Sequence, residues 1–247
     1  MLATAEPDTA TEICAELLPP QAEFISAEPP PGLERVFEIM YSGAYGAGKS
    51  RALCLKAVLR VIGHPGAFEG LTRKTLVEMR QTTLRTLLEA DGDLPAVLVP
   101  GTYHHRKTER TIHINGGGVI HYFGCDDHEA MRSLNLSGCG IDESTELDEN
   151  EYLTLVGRVR RKAGAGLQVY SATNPGGTGH FLYKRFSVGD PSRRKPQCHV
   201  IHTRSEDNWM LPAAYLGTLS EFTGQYHDRY VLGKWGNFEG MIYAGWS

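Results

Sequence analysis

The stretch SGAYGAGKSRA, residues 42–52, separates two segments with different patterns of apolar residues. Residues 35–43 (RVFEIMYSG) contain β-branched and aromatic side chains, which favour a β-strand. Residues 49–63 (KSRALCLKAVLRVIG) carry apolar side chains at helical spacing until Gly63 and Pro65 end the pattern. The sequence therefore predicts a strand, a glycine-rich loop and a helix in succession.

The loop fits the pattern G-x-x-x-x-G-K-[ST] from Gly43 to Ser50, in the strand-to-helix context that the pattern requires. Glycines let the backbone wrap with its N–H groups pointing inward, and the N-terminus of the following helix adds positive potential. Lys49 would place a cation against the β- and γ-phosphates, and Ser50 would offer a hydroxyl to Mg²⁺. We therefore expect this loop to bind a nucleoside triphosphate together with Mg²⁺.

Strands and helices alternate along the rest of the chain. We predict strands at 67–73, 136–143 and 166–174, two short strands within 108–124, and helices at 75–90 and 148–162. This alternation predicts an α/β fold of the P-loop NTPase type, with a mostly parallel central sheet flanked by helices. Residues 1–207 would form the core, with a leader at 1–34, and residues 208–247 a small helical lid subdomain and linker.

The composition is that of a globular protein without a membrane segment. The 247 residues include 41% apolar residues, carry a net charge of −4 and contain no apolar run of the roughly 18 residues that a membrane span requires. The N-terminus lacks the basic start and apolar middle of a signal peptide, so we expect a cytosolic protein. The five cysteines and ten histidines form no metal-ligand pattern, which predicts reduced thiols and no structural metal.

Two further motifs supply polar side chains at predicted strand ends. Asp142 and Glu143 follow one strand, where Asp142 would hold the Mg²⁺ shell and Glu143 would orient or deprotonate the attacking water. Thr173 and Asn174 end another strand before a Pro-Gly break, where they could sense the γ-phosphate. The alternatives are a solvated surface pair for the carboxylates and a turn cap for the Thr-Asn pair.

Because the net charge is negative, any contact with nucleic acid must come from local basic patches. Two clusters of basic residues could provide it. One cluster consists of Arg106, Lys107 and Arg110, and the other of Arg158, Arg160, Arg161 and Lys162. Solvated surface charge is the alternative for each cluster. We favour the first cluster as the one that contacts nucleic acid.

Several stretches together resemble the ATPase domain of the large subunit of bacteriophage terminase, the motor that packages viral DNA into procapsids. In chain order they are LLPPQAEFI (17–25), GAYGAGKS (43–50), LNLSGCGIDESTEL (134–147), SATNP (171–175) and RYVLGKWGNFEGMIY (229–243). They are similar to that family's adenine, phosphate-loop, acidic and coupling motifs and to the stretch that leads toward its nuclease domain. The resemblance covers nearly the whole chain.

The resemblance implies a set of site residues. ATP would bind with Mg²⁺, the metal being held by Ser50 and Asp142, and Gln21 would read adenine. Lys49 and Glu143 would be catalytic, together with Arg132, an arginine that such motors can present to the neighbouring subunit's nucleotide. Thr173 and Asn174 would couple hydrolysis to movement. The residues implied to bind ATP are Gln21, Gly43, Ala44, Tyr45, Gly46, Ala47, Gly48, Lys49, Ser50 and Arg51.

The resemblance also implies partners and a location. The partners would be double-stranded DNA, further copies of the chain in a homo-oligomeric ring, a portal protein and a small terminase subunit. The location would be the cytoplasm of the host cell, with no membrane association. DNA would be held through its phosphates without sequence readout, because translocation must be indifferent to bases.

The chain departs from the family pattern in two respects. Many relatives carry an arginine inside the phosphate loop, where this chain has Ala44, Tyr45 and Ala47. The sequence also stops at Ser247, which leaves no room for the acidic cluster of a nuclease. It is either part of a longer chain or a lone motor domain, and we favour the first.

Three other functions stay open at this level. A helicase-like ATPase acting on single strands would interleave aromatic residues with a basic groove. A small-molecule kinase would need an acceptor pocket and an arginine-rich lid, whereas Glu143 after Asp142 suits attack by water. A regulatory nucleotide-binding module would show no turnover.

Overall fold

The structure, a computed structural model, describes residues 16–237. An eight-stranded sheet forms its centre, in the order β3-β4-β5-β2-β6-β7-β1-β8. The strands are β1 (Phe37–Gly43), β2 (Phe68–Arg73), β3 (Tyr103–Arg106), β4 (Thr111–Ile114), β5 (Val119–Gly124), β6 (Gly138–Asp142), β7 (Gln168–Thr173) and β8 (Cys198–Thr203). Only the β3/β4 and β4/β5 pairs are antiparallel, so the predicted mostly parallel sheet is confirmed.

Nine α-helices surround the sheet within the described residues. They are α1 (Pro19–Ser26), α2 (Lys49–Gly63), α3 (Leu76–Gln81), α4 (Thr83–Leu88), α5 (His128–Ser133), α6 (Glu149–Arg158), α7 (Phe181–Arg185), α8 (Ala213–Ser220) and α9 (Gly224–Tyr230). Short 3₁₀ turns lie at Ser144–Glu146, Pro191–Arg193 and Ser205–Asp207. None of the helices between residues 16 and 237 has the length and apolar character needed to cross a membrane.

The sheet separates two hydrophobic cores because successive side chains of a strand point to opposite faces. In β1, Ile39 and Tyr41 belong to the core that contains α2, while Met40 belongs to the core that contains α6. Strands β1, β6 and β7 are buried along their whole length, as expected for parallel strands covered on both faces. Their carboxyl ends therefore meet at one edge of a rigid scaffold.

The structure corrects one predicted element. The single helix expected over residues 75–90 is two helices, because Thr82 between α3 and α4 has non-helical angles of φ −124° and ψ −80°. The Thr82 hydroxyl donates to the carbonyl of Glu78 and accepts from Arg73, and the neighbouring Thr83 donates to Asp142. The break therefore directs the start of α4 toward the end of β6.

Some predictions concern segments beyond the described part of the chain. The leader before residue 16, including Cys14, and the linker after residue 237 lie outside it. The other four cysteines, Cys54, Cys125, Cys139 and Cys198, are buried free thiols, as expected.

Candidate nucleotide site

The glycine-rich loop joins the end of β1 to the start of α2, in the predicted position. Gly46 and Gly48 have φ angles of 71° and 67°, a region that glycine enters without steric cost. A Cβ atom at Gly46 would lie only 2.9 Å from the Cδ1 atom of Leu211. Gly48 is the N-cap of α2, so the helix N-terminus opens directly behind the loop. The loop therefore has the geometry of an anion cradle.

A cavity of about 340 Å³ lies against this loop. It is lined by the predicted residues Tyr45–Arg51, Glu143 and Asn174, and also by Thr86, Glu89, Asp91 and Leu94. Gly43 and Ala44, which were predicted to bind ATP, are buried beneath the loop and do not line the cavity. The four additional lining residues follow the helix break at Thr82, and no motif in the sequence indicates them.

Lys49 lines the cavity and connects the phosphate loop to the end of β7. Its side chain is 8% exposed, and its Nζ atom donates to the carbonyl of Ala44 (2.6 Å) and to Oδ1 of Asn174 (3.1 Å). Burial lowers the pKa of Lys49, and the charges of Glu143 and Asp142 oppose this. The ammonium group is thus held in place by acceptors between the loop and the end of β7.

Asp142 ends β6 and is almost fully buried. Its Oδ1 atom accepts from the hydroxyl of Ser50 (3.0 Å) and its Oδ2 atom from the hydroxyl of Thr83 (2.6 Å). Burial raises the pKa of Asp142, and these two hydrogen bonds oppose the shift. The structure therefore brings the two predicted metal-binding residues, Ser50 and Asp142, together.

This donor set fits Mg²⁺ that arrives with a triphosphate. One carboxylate and one hydroxyl suit a small ion that keeps several waters and takes further oxygens from phosphates. Between residues 16 and 237 there is no group of three or more His, Cys, Asp or Glu side chains that could hold a metal by itself.

Glu143 has a strained backbone and a partly buried carboxylate. Its angles, φ 49° and ψ 52°, lie in the left-handed region, which is uncommon for residues other than glycine. The side-chain amide of Asn174 donates to Oε1 (3.1 Å) and Oε2 (3.3 Å) of this carboxylate, and the backbone N–H of Asn174 also donates to Oε2 (3.4 Å). Burial and then the charge of Asp142 raise the pKa of Glu143. A raised carboxylate pKa in a cleft is typical of a general base.

The two predicted coupling residues have different surroundings. Asn174 contacts both Lys49 and Glu143 and lines the cavity. Thr173 does not line it; its hydroxyl bonds the hydroxyl of Thr145 (2.7 Å) and accepts from the backbone N–H of Thr145 (3.2 Å). Thr173 therefore ties β7 to the turn that follows Glu143.

Gln21 lies on α1 beside the loop rather than in the cavity. The side chain is 4% exposed; its Nε2 atom donates to the carbonyl of Gly48 (3.1 Å) and its Oε1 atom accepts from the N–H of Leu18 (3.0 Å). Contact between Gln21 and adenine remains a prediction.

The predicted arginine finger and DNA-binding residues lie away from the cavity. Arg132 is exposed on α5, and its side chain makes no hydrogen bond or ion pair within residues 16–237. Arg106 and Lys107 are exposed at the β3–β4 hairpin, and Arg106 pairs with Glu109 (3.2 Å). Arg110 is partly buried there with a φ of 56°. This hairpin lies at the edge of the sheet farthest from β8.

The helical segment at residues 208–237 contacts the loop at several points. The Tyr45 N–H donates to the carbonyl of Tyr230 (2.9 Å), and the two rings stack with centroids 4.2 Å apart. The side chain of Asn208 donates to the carbonyl of Gly46 (2.6 Å), and Arg229 donates to the carbonyl of Pro175 (2.7 Å). The segment therefore contacts both the phosphate loop and the end of β7.

A mostly parallel sheet with a glycine loop after β1 and a buried aspartate at the end of β6 defines the P-loop NTPase class of α/β fold. Residues 35–236 match the sequence family described as phage terminase large subunit. The chain belongs to this family. No curated protein matches its sequence.

Solved structures of phage terminases have the same fold. The large terminase of the thermophilic bacteriophage D6E is 18% identical over 94% of this chain and 57% of that chain, with a TM-score of 0.73. The HK97 bacteriophage large terminase is 10% identical over 92% and 52% of the two chains, with a TM-score of 0.65. The ATPase domain of the Thermus phage P74-26 large terminase is 14% identical over 80% and 88%, with a TM-score of 0.54. This chain thus spans about half the length of the D6E and HK97 proteins.

Proposed function

We propose that this chain is the Mg²⁺-dependent ATPase domain of a motor that moves double-stranded DNA into viral procapsids. The observation that carries the proposal is that a phosphate loop and the partly buried Glu143 carboxylate line one cavity, and that Ser50, which also lines it, donates to Asp142 at the end of β6. Family membership supports it, and the D6E large terminase has been solved with ATP-gamma-S and with ADP.

In this proposal the loop and α2 bind the triphosphate. Backbone N–H groups from Gly46 to Ser50 and the N-terminus of α2 surround the phosphates, and Lys49 moves from its present acceptors to phosphate oxygens. Ser50 and Asp142 would hold Mg²⁺. The ion, when bound, neutralises charge on the phosphates and helps to align them for in-line attack.

Glu143 would accept the proton of the attacking water. Its raised pKa makes it a stronger base than an ordinary glutamate, and Asn174 fixes the direction of both carboxylate oxygens. Arg132 would stabilise the transition state in a neighbouring subunit of a ring, and its exposure and lack of partners within residues 16–237 are compatible with this role.

Hydrolysis would be transmitted to the segment at residues 208–237. Asn174 contacts Lys49 and Glu143, and the next residue, Pro175, accepts a hydrogen bond from Arg229. Tyr45 in the phosphate loop stacks on Tyr230. A change at the γ-phosphate therefore reaches this segment by two short routes, through the end of β7 and through the loop itself.

DNA would be held by phosphate contacts at the β3–β4 hairpin, through Arg106, Lys107 and Arg110. The motor would work in the cytoplasm of the host cell, with the portal protein and the small terminase subunit as partners. Family membership favours this function over a helicase-like ATPase.

The decisive experiment compares ATP binding with ATP turnover in Glu143→Gln. This variant keeps the size and the hydrogen-bond acceptor of the side chain, so nucleotide should still bind while turnover falls by a factor of at least about 100. Glu149→Gln, at an exposed position in the first turn of α6, is the matched control and should behave as the original protein does. Retained turnover in Glu143→Gln would exclude Glu143 as the general base.

A further inference from the structure

Protein groups already bind the side-chain amide of Gln21. Its Nε2 atom donates to the carbonyl of Gly48 and its Oε1 atom accepts from the N–H of Leu18. One N–H and one lone pair remain, but the side chain is only 4% exposed and does not line the cavity. The geometry therefore directs Gln21 to the phosphate loop rather than to a nucleotide base.

Gly48 lies at the junction between the phosphate loop and α2, so a hydrogen bond to it fixes the end of the loop. It directly precedes Lys49 and Ser50, it is the N-cap of α2, and its carbonyl also accepts the first helical hydrogen bond, from Ala52 (3.1 Å). A Cβ atom at Gly48 would lie 2.3 Å from Nε2 of Gln21, so the close approach of the amide requires glycine here. Gln21 thus fixes the carbonyl at the turn from loop to helix.

A second contact fastens α1 to the same helix. Lys56, two turns further along α2, donates from Nζ to the carbonyls of Phe24 (2.9 Å), Ile25 (3.1 Å) and Ala27 (2.8 Å). These carbonyls lie at the C-terminal end of α1, where helical carbonyls have no partner within the helix and a cation is favourable. The Lys56 side chain is 1% exposed, so this contact is a buried one.

The ammonium group of Lys56 also contacts two aromatic rings, and burial changes its pKa. Its Nζ atom lies over the rings of Phe24 and Tyr170, 5.6 and 5.8 Å from their centroids. Burial lowers the pKa of Lys56 to about 7, with a further contribution from Arg60, while Glu28 and Glu69 oppose the shift. Below that pH the ammonium group has one N–H for each of its three carbonyl acceptors.

We propose that α1 is a brace for the phosphate loop, in which Lys56 anchors the helix and Gln21 holds Gly48 in the phosphate-binding conformation. Both are positioning residues: they set the affinity for the polyphosphate part of the nucleotide and take no part in selecting the base. The inference rests on the proposed nucleotide site.

The test measures the binding of ATP, GTP and inorganic tripolyphosphate to the full chain by calorimetry below pH 7. Gln21→Ala and Lys56→Met should each weaken the binding of all three ligands by a similar factor, about three- to tenfold, as expected for the loss of one or two hydrogen bonds. The affinity of the double variant should be only slightly lower than that of whichever single variant binds more weakly, because both changes release the same helix. Gln81→Ala and Lys195→Met, at exposed positions, are the matched controls.

Other outcomes would overturn the brace. If Gln21→Ala weakens ATP binding alone and leaves tripolyphosphate unaffected, Gln21 reads adenine instead. If both variants melt at lower temperature but bind all three ligands with the original affinity, the contacts serve only stability. Should Lys56→Met fail to fold, the ligand pattern of Gln21→Ala decides. Absence of binding by the original protein would instead refute the proposed nucleotide site.

Discussion

Glu143 combines an unfavourable backbone conformation with an unfavourable charge. A left-handed residue other than glycine costs of order 1 kcal/mol or more, and a buried carboxylate costs more unless it is hydrogen-bonded. Both costs are tolerated because β6 and the turn at Ser144–Glu146 fix the backbone, and Asn174 supplies donors to both carboxylate oxygens. Strain of this kind is typical of a residue whose position matters for chemistry.

The pH dependence of turnover should report the raised pKa of Glu143. Protonated Glu143 cannot accept a proton from water, so turnover should fall as the pH falls through the pKa of this residue. Because burial and Asp142 raise that pKa, the acid limb of the kcat profile should lie above the 4.5 of an ordinary glutamate. Nucleotide affinity measured at each pH separates this effect from loss of binding, and an acid limb at the ordinary value would contradict the assignment.

Ser50→Ala should change the metal dependence of turnover. Without the hydroxyl, Mg²⁺ would lose one of the two protein oxygens proposed to hold it, and the Mg²⁺ concentration for half-maximal turnover should rise about tenfold or more. Titration of Mg²⁺ at saturating ATP measures this. Ser144→Ala is the control, because the Ser144 hydroxyl is buried without a hydrogen-bond partner among the described residues. An unchanged Mg²⁺ requirement in Ser50→Ala would remove Ser50 from the metal site.

Local sequence patterns predict the elements whose contacts are local and miss those set by distant residues. The helix predicted over residues 49–63 is α2, because its apolar spacing and its glycine boundaries lie within the segment itself. The break at Thr82 depends on Arg73 and Asp142, which lie elsewhere in the sequence. The same break brings Thr86 and Asp91 to the cavity, so the sequence does not predict these lining residues. It does predict the phosphate loop and Glu143, because both follow local motifs.

The aromatic contact between Tyr45 and Tyr230 should couple the loop to the segment at residues 208–237. Tyr230→Ala removes the ring stack, worth about 0.5–1.5 kcal/mol, and should loosen the main-chain hydrogen bond from Tyr45. Hydrogen exchange should then become faster in peptides that cover residues 42–52. Leu216→Ala, at an exposed position on α8 in the same segment, is the control. Unchanged exchange at residues 42–52 would mean that the stack carries no coupling.

At the scale of the whole molecule, a basic hairpin is found on a protein whose net charge is negative. The net charge is −4, yet the exposed Arg106 and Lys107 lie on a hairpin at one edge of the sheet, far from β8. The proposed DNA binding would therefore come from a local patch, whose affinity should fall with salt in proportion to the phosphates that it neutralises.

Neutralising this hairpin should weaken DNA binding uniformly across sequences. Lys107→Ala and Arg110→Ala should each lower the affinity for duplex DNA and reduce the slope of log K against log salt by about one. Arg160→Ala and Lys162→Ala test the second cluster, and Arg193→Ala, at a position 83% exposed, is the control. If the slope is unchanged in the hairpin variants but reduced in Arg160→Ala and Lys162→Ala, the DNA contact lies at residues 158–162 instead. Tighter binding to single strands than to duplex would favour the helicase-like alternative.

Subunit mixing can test whether the active site is completed between copies of the chain. Arg132→Ala has an intact phosphate loop and lacks the proposed finger, whereas Lys49→Ala has the finger and lacks a working loop. Neither variant should turn over ATP alone, but a mixture assembled into rings should recover part of the activity, because some interfaces pair an intact loop with an intact finger. ATP turnover is measured as a function of the mixing ratio, with sedimentation to verify assembly. Assembled mixtures without recovered turnover would mean that Arg132 does not act on a neighbouring nucleotide.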